Sequence, residues 1–394
     1  MSKLTLNHLH LQEKKVLIRV GFNVPLKDGV VTDDTRIREA LPTIRKVLQD
    51  GGLPILMSHL GRPKNGPEAQ FSLAPAAGKL AELIGAKVYM APDTVGEAVE
   101  ALIAQAEPGS IVLLENTRFY AGETKNDLVL AEQMAKLGDV YVNDAFGSAH
   151  RAHSSTEGVT RFVSQSAMGY LLEKEVTYLS KVLAEPQSPF IAVIGGAKVS
   201  DKIGVIEALL PKVDRLLIGG GMTFTFLKAK GIAIGKSLCE DDKLELAQSL
   251  MASAGDKLVL PTDHLCAGQF ANDAQTQLSG PDVPEGWMGL DIGPNSVVQY
   301  QNLLKSAKTV IWNGPMGVFE MPTFAKGTIA VAEALAEATR EGALTVVGGG
   351  DSVAAITQAG LNDDVSHVST GGGAMLEFLE GITLPGVAAL SEKA

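Results

Sequence analysis

The stretch Phe190-Ile191-Ala192-Val193-Ile194-Gly195-Gly196-Ala197-Lys198 carries the pattern from which the fold can be read. Five apolar residues, mostly β-branched, make a run of strand length, and two glycines end it. A glycine run at a strand exit, followed by a helix, places free N–H groups and a positive dipole end toward an anion. Run, special loop and amphipathic segment recur on both sides of this stretch. Strand candidates precede it at 16–20, 53–58, 111–114 and 140–143, and follow it at 215–218, 257–260, 309–312, 344–347 and 367–369. Helical patterns separate them, for example at 34–48, 128–137, 242–254 and 328–340. The alternation predicts βαβ units and parallel sheets covered by helices.

Just upstream, Leu172, Val176, Leu179 and Leu183 recur at spacings of four, three and four with charges between them, and Pro186 and Pro189 follow. This is a one-sided helix with a defined stop. The expected fold is α/β, with two Rossmann-like domains whose parallel β-sheets are flanked by helices. The first spans 1–170, a connecting helix spans 171–186 and the second spans 187–380. A chain of 394 residues suggests two or three domains at ~100–200 residues each.

Composition removes several classes of function. With 34 Lys+Arg against 45 Asp+Glu the formal net charge is −11, which argues against a nucleic-acid partner. Cys239 and Cys266 make no disulfide framework and fit a reducing compartment. No apolar stretch approaches the ~18–20 residues of a membrane span. The first residues, MSKLTLNHLHLQEKK, lack an apolar signal core, so a soluble cytoplasmic protein without a membrane partner is expected. The totals conceal an asymmetry. Eight of ten arginines (19, 36, 38, 45, 62, 118, 151 and 161) lie in the first 170 residues, whereas 27 of 42 glycines lie beyond. Arginine captures carboxylate and phosphate in bidentate fashion, and glycine lets a backbone approach phosphates closely.

Ligands of open α/β sheets bind outside the carboxyl ends of the strands, so the strand exits matter most. In the first half they read Gly21-Phe22-Asn23-Val24-Pro25, His59-Leu60-Gly61-Arg62-Pro63, Glu115-Asn116-Thr117-Arg118-Phe119 and Asp144 through His153. Arg62, Arg118 and Arg151 thus come from three separate exits, and Arg36 opens the first long helix after Asp33-Asp34-Thr35. Converging arginines make a polyanion pocket; Arg38, Arg45 and Arg161 read as ordinary surface charges. In the second half six exits are Gly-rich, at 195–198, 219–221, 291–294, 313–315, 348–351 and 371–373. Six around one sheet edge point to a nucleotide shelf.

Missing signatures narrow the chemistry. Gly231-Ile232-Ala233-Ile234-Gly235-Lys236-Ser237 is one residue short of a P-loop and follows a helix pattern, so it reads as a decoy. No GxGxxG fingerprint and no protein-kinase catalytic loop are present. His150 and His153 stand without a metal-site context, which favours a substrate or structural role. Lys198 and Lys202 share a face if the segment after Gly196 is helical, and could neutralise a phosphoryl group in transfer. Asp351, after three glycines, is the candidate Mg²⁺ ligand, with a helix N-cap as its alternative role. The arginine loops hold no evident general base, which suits an acceptor that is itself an ionised carboxylate.

The ordered set FNVP, SHLGRP, LLENTRF, DAFGSAHRAHSS, IGGAKVSDKI, GGGMTFTF, WNGPMGVFE, GGGDS and STGGGAMLEFLEG closely resembles the phosphoglycerate kinase family, from about residue 15 to about residue 390. The resemblance implies reversible phosphoryl transfer between 1,3-bisphosphoglycerate and Mg·ADP, giving 3-phosphoglycerate and ATP. It implies that Asn23, Arg36, His59, Arg62, Arg118 and Arg151 bind the phosphoglycerate, with Arg36 at the carboxyl end and the last four at the distant phosphate. Arg36 and Lys198 would be the catalytic pair. Gly196, Lys198, Lys202, Gly220, Gly289, Asn313, Glu320, Gly349, Gly350, Asp351 and Ser352 would bind the nucleotide, with Glu320 at the ribose and Asp351 on Mg²⁺. A cytoplasmic monomer whose domains close over the substrates is also implied, with the tail 381–394 returning to the first domain. One position departs from the family pattern, Asp-Phe-Asn-Val-Pro, because Gly21 stands where the aspartate would be. Losing a hydrogen bond to a charged group costs ~1.5–3 kcal/mol, so weaker substrate binding is expected. Gly21 also motivates an alternative, a catalytically weakened relative acting as a nucleotide-dependent binding protein. A third reading, a two-domain dehydrogenase, requires NAD binding.

Overall fold

The alternation of apolar runs and amphipathic segments is realised as two six-stranded parallel sheets, each carried by its own compact unit. The computed structural model describes residues 3–64 and 66–393. Met1, Ser2, Asn65 and Ala394 lie outside the described residues, and with them the outermost residues of the expected 1–170 domain and 381–394 tail. One unit comprises Met1–Thr177 and Thr383–Ala394, the other Tyr178–Ile382.

The first unit contains β1 (Lys15–Val20), the hairpin β2 (Leu26–Lys27) and β3 (Val30–Val31), β4 (Leu53–Met57), β5 (Val88–Met90), β6 (Ile111–Leu113), β7 (Val140–Asp144) and β8 (Ser166–Met168). Its sheet runs β5-β6-β4-β1-β7-β8. Helices α1 (Thr35–Gln49), α2 (Ala74–Ile84), α3 (Glu97–Gln105) and α4 (Leu128–Ala135) intervene. Val16 through Val20 are fully buried, as in a central parallel strand covered on both faces. Ile37, Ala40, Leu41, Ile44 and Val47 give α1 one buried stripe. Helix α5 (Tyr170–Ala184) contains the division between the units.

The second unit holds β9 (Phe190–Ile194), β10 (Arg215–Ile218), β11 (Leu258–Val259), β12 (His264–Ala267), β13 (Thr276–Ser279), β14 (Met288–Ile292), β15 (Thr309–Asn313), β16 (Leu344–Gly348) and β17 (His367–Val368). Its main sheet runs β11-β10-β9-β15-β16-β17. The helices are α6 (Ile203–Leu209), α7 (Met222–Ala229), α8 (Leu244–Ala254), α9 (Pro294–Lys305), α10 (Lys326–Arg340), α11 (Gly350–Gln358) and α12 (Gly373–Leu379). A short α13 (Pro385–Ala388) lies in the first unit's tail segment, where Asn143 Nδ2 donates to the Gly386 carbonyl at 2.9 Å.

Two expectations need correction. Strands β12, β13 and β14 form a separate antiparallel sheet, so the 291–294 exit leaves that sheet and five Gly-rich exits, not six, belong to the main one. Lys198 and Lys202 do not share a helix face, because α6 starts only at Ile203 with Lys202 as its N-cap residue. Ser200 explains the delay: its N–H and hydroxyl donate to the Glu240 carboxylate at 3.1 and 2.5 Å. Side-chain bonding of this kind competes with helix formation.

Candidate functional site

In the first unit the chain leaves β1 for β4 on one side and returns later to β7 on the other. The carboxyl ends of these strands therefore flank a topological switch point, where a crevice opens. A cavity of about 930 Å³ lies there, lined by Asn23, His59, Arg62, Arg118, Arg151 and His153 among others. Buried Asn116 joins two of its loops. Its side chain donates to the carbonyls of Leu60 and Phe71 at 2.7 and 2.9 Å and accepts from the Arg118 N–H at 3.0 Å. Asn23 accepts from the Gly61 N–H at 2.8 Å, and Arg118 Nη1 donates to the Gly61 carbonyl at 2.8 Å. The Nε of Arg118 is buried without a partner, a charged donor left for a ligand.

Arg36 is not part of this lining. It lies on the first turn of α1, and its Nη1 donates to the Asn23 carbonyl. Arg38 and Arg161 pair with Asp34 and Glu157 at 2.8 Å, and Arg45 donates to the Leu83 carbonyl at 3.3 Å, as surface charges do. Burial, then Arg19 and Arg118, push His153 down to about 4, and the same forces hold His59 well below the usual histidine range. Both imidazoles are neutral at pH 7, so the pocket's positive charge comes from its arginines, with Lys64 and Lys125 also on the lining. Among the described residues no group of three or more His, Cys, Asp and Glu is placed to hold a metal, His150 and His153 included.

The second unit repeats the arrangement. Its chain leaves β9 for β10 on one side and returns to β15 on the other, and the exits of β9 and β15 meet at the switch. A Cβ on Gly195 would lie 2.1 Å from the Pro315 carbonyl oxygen, and one on Gly314 would lie 2.1 Å from that of Gly195. Only glycine allows two exit loops to touch backbone to backbone. Beside them is a cavity of about 440 Å³ whose lining includes Gly196, Gly220, Gly289, Glu320 and Asp351. Its apolar part includes Phe224, Leu238, Phe270 and Met288; Leu238 and Phe270 are 51% and 61% exposed.

Lys198, Lys202, Asn313, Gly349, Gly350 and Ser352 are not among this cavity's lining residues. Several form a chain along the neighbouring exits. Lys202 Nζ donates to Asn313 Oδ1, Asn313 Nδ2 donates to the Gly348 carbonyl at 2.8 Å, and the Gly314 N–H donates to Ser352 Oγ at 2.5 Å. Burial lowers the Lys202 ammonium, against the pull of Asp201 and Asp351. Lys198 is exposed in the loop between β9 and α6. Gly349 is the N-cap residue of α11 and Asp351 lies inside its first turn, so Asp351 is not the cap. One exposed carboxylate at a helix N-terminus suits a cation that arrives on phosphates with most of its ligands already in place. The decoy segment 231–237 is a loop after α7 with no helix opening from it, yet Lys236 lines the cavity and Ser237 Oγ accepts from the Gly289 N–H at 2.9 Å.

Comparison with known proteins decides the family. The family model described as "Phosphoglycerate kinase" matches residues 6–382. The chain belongs to the phosphoglycerate kinase family. It is 59% identical to "Phosphoglycerate kinase" of Chloroherpeton thalassium over 99% of this chain and 100% of that one. It is 56% identical to "Phosphoglycerate kinase, cytosolic" of Triticum aestivum over 98% of each chain. The solved phosphoglycerate kinase from Coxiella burnetii superposes with a TM-score of 0.89 at 44% identity, covering 98% of each chain. The α/β fold with two helix-flanked parallel sheets is therefore that of the phosphoglycerate kinases.

Sequence reasoning missed Arg19, Asn116 and the apolar half of the nucleotide-side cavity. The signal for Arg19 was present: a lone cation inside the apolar run Val16-Leu17-Ile18-Arg19-Val20. The apolar lining comes from separate segments, and no local motif collects them.

Proposed function

We propose that the arginine pocket of the first unit binds 3-phosphoglycerate or 1,3-bisphosphoglycerate, and that the glycine loops of the second bind ADP or ATP with Mg²⁺. Family membership gives the activity: this chain is a kinase whose phosphoryl acceptor is a carboxyl group, and its reaction belongs to glycolysis. The observation that carries the site reading is the convergence of Arg62, Arg118 and Arg151 from three strand exits on one cavity, with the Arg118 Nε unpartnered. In this reading His59, Arg62, Arg118 and Arg151 hold the phosphate remote from the reaction, and Asn23 and Arg36 orient the carboxyl end. Binding at the remote phosphate fixes the position of the reacting carboxylate, which needs no proton removed.

On the nucleotide side, Gly196, Gly220, Gly289, Gly349 and Gly350 follow the phosphates and base, and Glu320 reaches the ribose. Asn313 and Ser352 hold the exit loops, and Lys202 sits against Asn313. Exposed Lys198 stabilises the charge on the group in flight. Mg²⁺ comes as part of the nucleotide substrate, neutralises phosphate charge, and takes Asp351 as its protein ligand. The enzyme works as a monomer in the cytoplasm, a location in keeping with the name of the wheat relative.

A coupled assay of ATP consumption with 3-phosphoglycerate tests the reaction, and absence of turnover with Mg·ATP would refute it. Arg118→Ala tests the pocket: 3-phosphoglycerate affinity should fall roughly 10-fold or more with ADP affinity unchanged. Unaltered 3-phosphoglycerate binding would remove the phosphate-pocket assignment.

A further inference from the structure

Arg19 is a cation buried beneath the arginine pocket. It is the penultimate residue of β1 and has 0% of its surface exposed. Its guanidinium is held on three sides. Nε donates to Ser155 Oγ at 2.9 Å, Nη1 donates to the Val20 carbonyl, and Nη2 lies 2.8 Å from Nδ1 of His59. Ser155 passes the interaction on: its hydroxyl donates to Glu123 Oε1 at 2.5 Å and its N–H to Oε2 at 3.0 Å. Glu123 is also fully buried, so cation and carboxylate balance through one shared hydroxyl. The Tyr141 hydroxyl, donating to the Ser155 carbonyl at 2.8 Å, fixes that relay from below.

A guanidinium has five donors, no acceptor, and keeps its proton. Its contact with His59 therefore has one chemical reading: Nδ1 is the bare acceptor and the ring proton sits on Nε2. We propose that Arg19 is a positioning residue that fixes His59 as its neutral Nε2–H tautomer, so that His59 offers the pocket a hydrogen-bond donor and not a charge. The proposal rests on the reading of this cavity as the phosphoglycerate site, where His59 is a lining residue.

The surroundings favour the same state. The charged and titratable groups facing His59 are Arg19 from β1, Arg118 from the β6 exit, His153 from the β7 exit and Arg36 from α1. Each of them opposes a proton on the ring. One consequence is that His59 adds no charge to the pocket as pH crosses the ordinary histidine range, while a phosphate monoester itself titrates near ~6.

The test uses the full-length, ligand-free protein labelled with ¹⁵N. Two-bond ¹H–¹⁵N spectra are recorded from about pH 5.5 to 8, spanning the reference histidine value, and His59→Gln identifies the His59 signals. The expected result is a bare Nδ1 and a protonated Nε2 throughout. An Nδ1–H tautomer, a doubly protonated ring or a titration in that range overturns the proposal. Arg19→Lys keeps the charge but loses the planar donor fork, so the Nδ1–H tautomer should appear beside the Nε2–H form. The KM for 3-phosphoglycerate should rise roughly 10-fold, with kcat and the nucleotide KM kept. A variant that only melts earlier, with the His59 tautomer and the KM unchanged, assigns Arg19 a structural role and overturns the proposal. If Arg19→Lys does not fold, the wild-type spectra decide. Arg118→Ala separates the two readings, because unchanged 3-phosphoglycerate binding removes the pocket assignment and leaves the tautomer standing.

Discussion

Gly21 sits at the end of β1, where a single missing side chain has a definite expected cost. A Cβ built there meets nothing within 4 Å, and its φ is not in the left-handed region. An aspartate therefore fits without strain, and Gly21→Asp should lower the KM for 3-phosphoglycerate by roughly 10-fold, with kcat little changed. Steady-state kinetics check this, and unchanged KM and kcat would show that the position has no part in binding. Lys198 poses the opposite question, since it is exposed and its removal leaves folding intact. Lys198→Ala should lower kcat by about 10²–10³-fold while the Kd of each substrate stays nearly constant. If the loss appears mainly in Kd, Lys198 binds ground-state phosphate and does not stabilise the transfer.

Among the elements, the exit loops of β9 and β15 are tightly constrained. Gly314 has φ +96°, and a Cβ there would collide with the Gly195 backbone. Gly314→Ala should push these loops apart, destabilise the second unit by about 1–3 kcal/mol and weaken ADP binding, while 3-phosphoglycerate binding persists. Thermal melts and titration calorimetry with each ligand separate these effects, and equal losses for both ligands would contradict the local explanation. These loops were legible because an apolar run followed by glycines is a local pattern. So were β1, β4, β6 and β7 with the arginines at three of their exits. The antiparallel sheet was not legible: Thr276–Ser279 alternates exposed and half-buried residues and forms no apolar run. Edge strands β5 and β8 are three residues each, too short for a period to register. The Arg19 network escaped for another reason. Its partner Ser155 lies 136 residues away, and only the folded sheet brings a buried cation to its compensating hydroxyl and carboxylate.

For the whole molecule, a net charge of −11 coexists with a cationic pocket because burial and placement, not the total, set the local field. Burial also sets how stability depends on pH. Asp144, fully buried behind the start of α5, is pushed up to about 7, chiefly by desolvation, against hydrogen bonds from Thr43 and the N–H groups of Leu172 and Leu171. Its unfolded value is near 3.8. Between those values the folded chain keeps a proton that the unfolded chain has released, so this group's stabilisation is complete below about 4 and lost as pH rises to about 7. His153 and His264 act in the opposite sense. Burial lowers both from 6.5 to about 4, so the unfolded chain takes up protons that the folded chain refuses, and stability falls as pH drops through that interval. Over the shared range the aspartate offsets part of the histidine loss, at about 1.4 kcal/mol per pH unit for each proton of difference. Asp144→Asn keeps an oxygen that can accept from Leu171 and Leu172, at 2.9 and 3.3 Å, and removes the titration. Its Tm should therefore fall more steeply than that of the wild type between pH 6.5 and 4.5, with the two curves diverging by about one proton's slope. Parallel curves would mean that Asp144 titrates alike in the folded and unfolded chains, and that its burial leaves the carboxylate ionised.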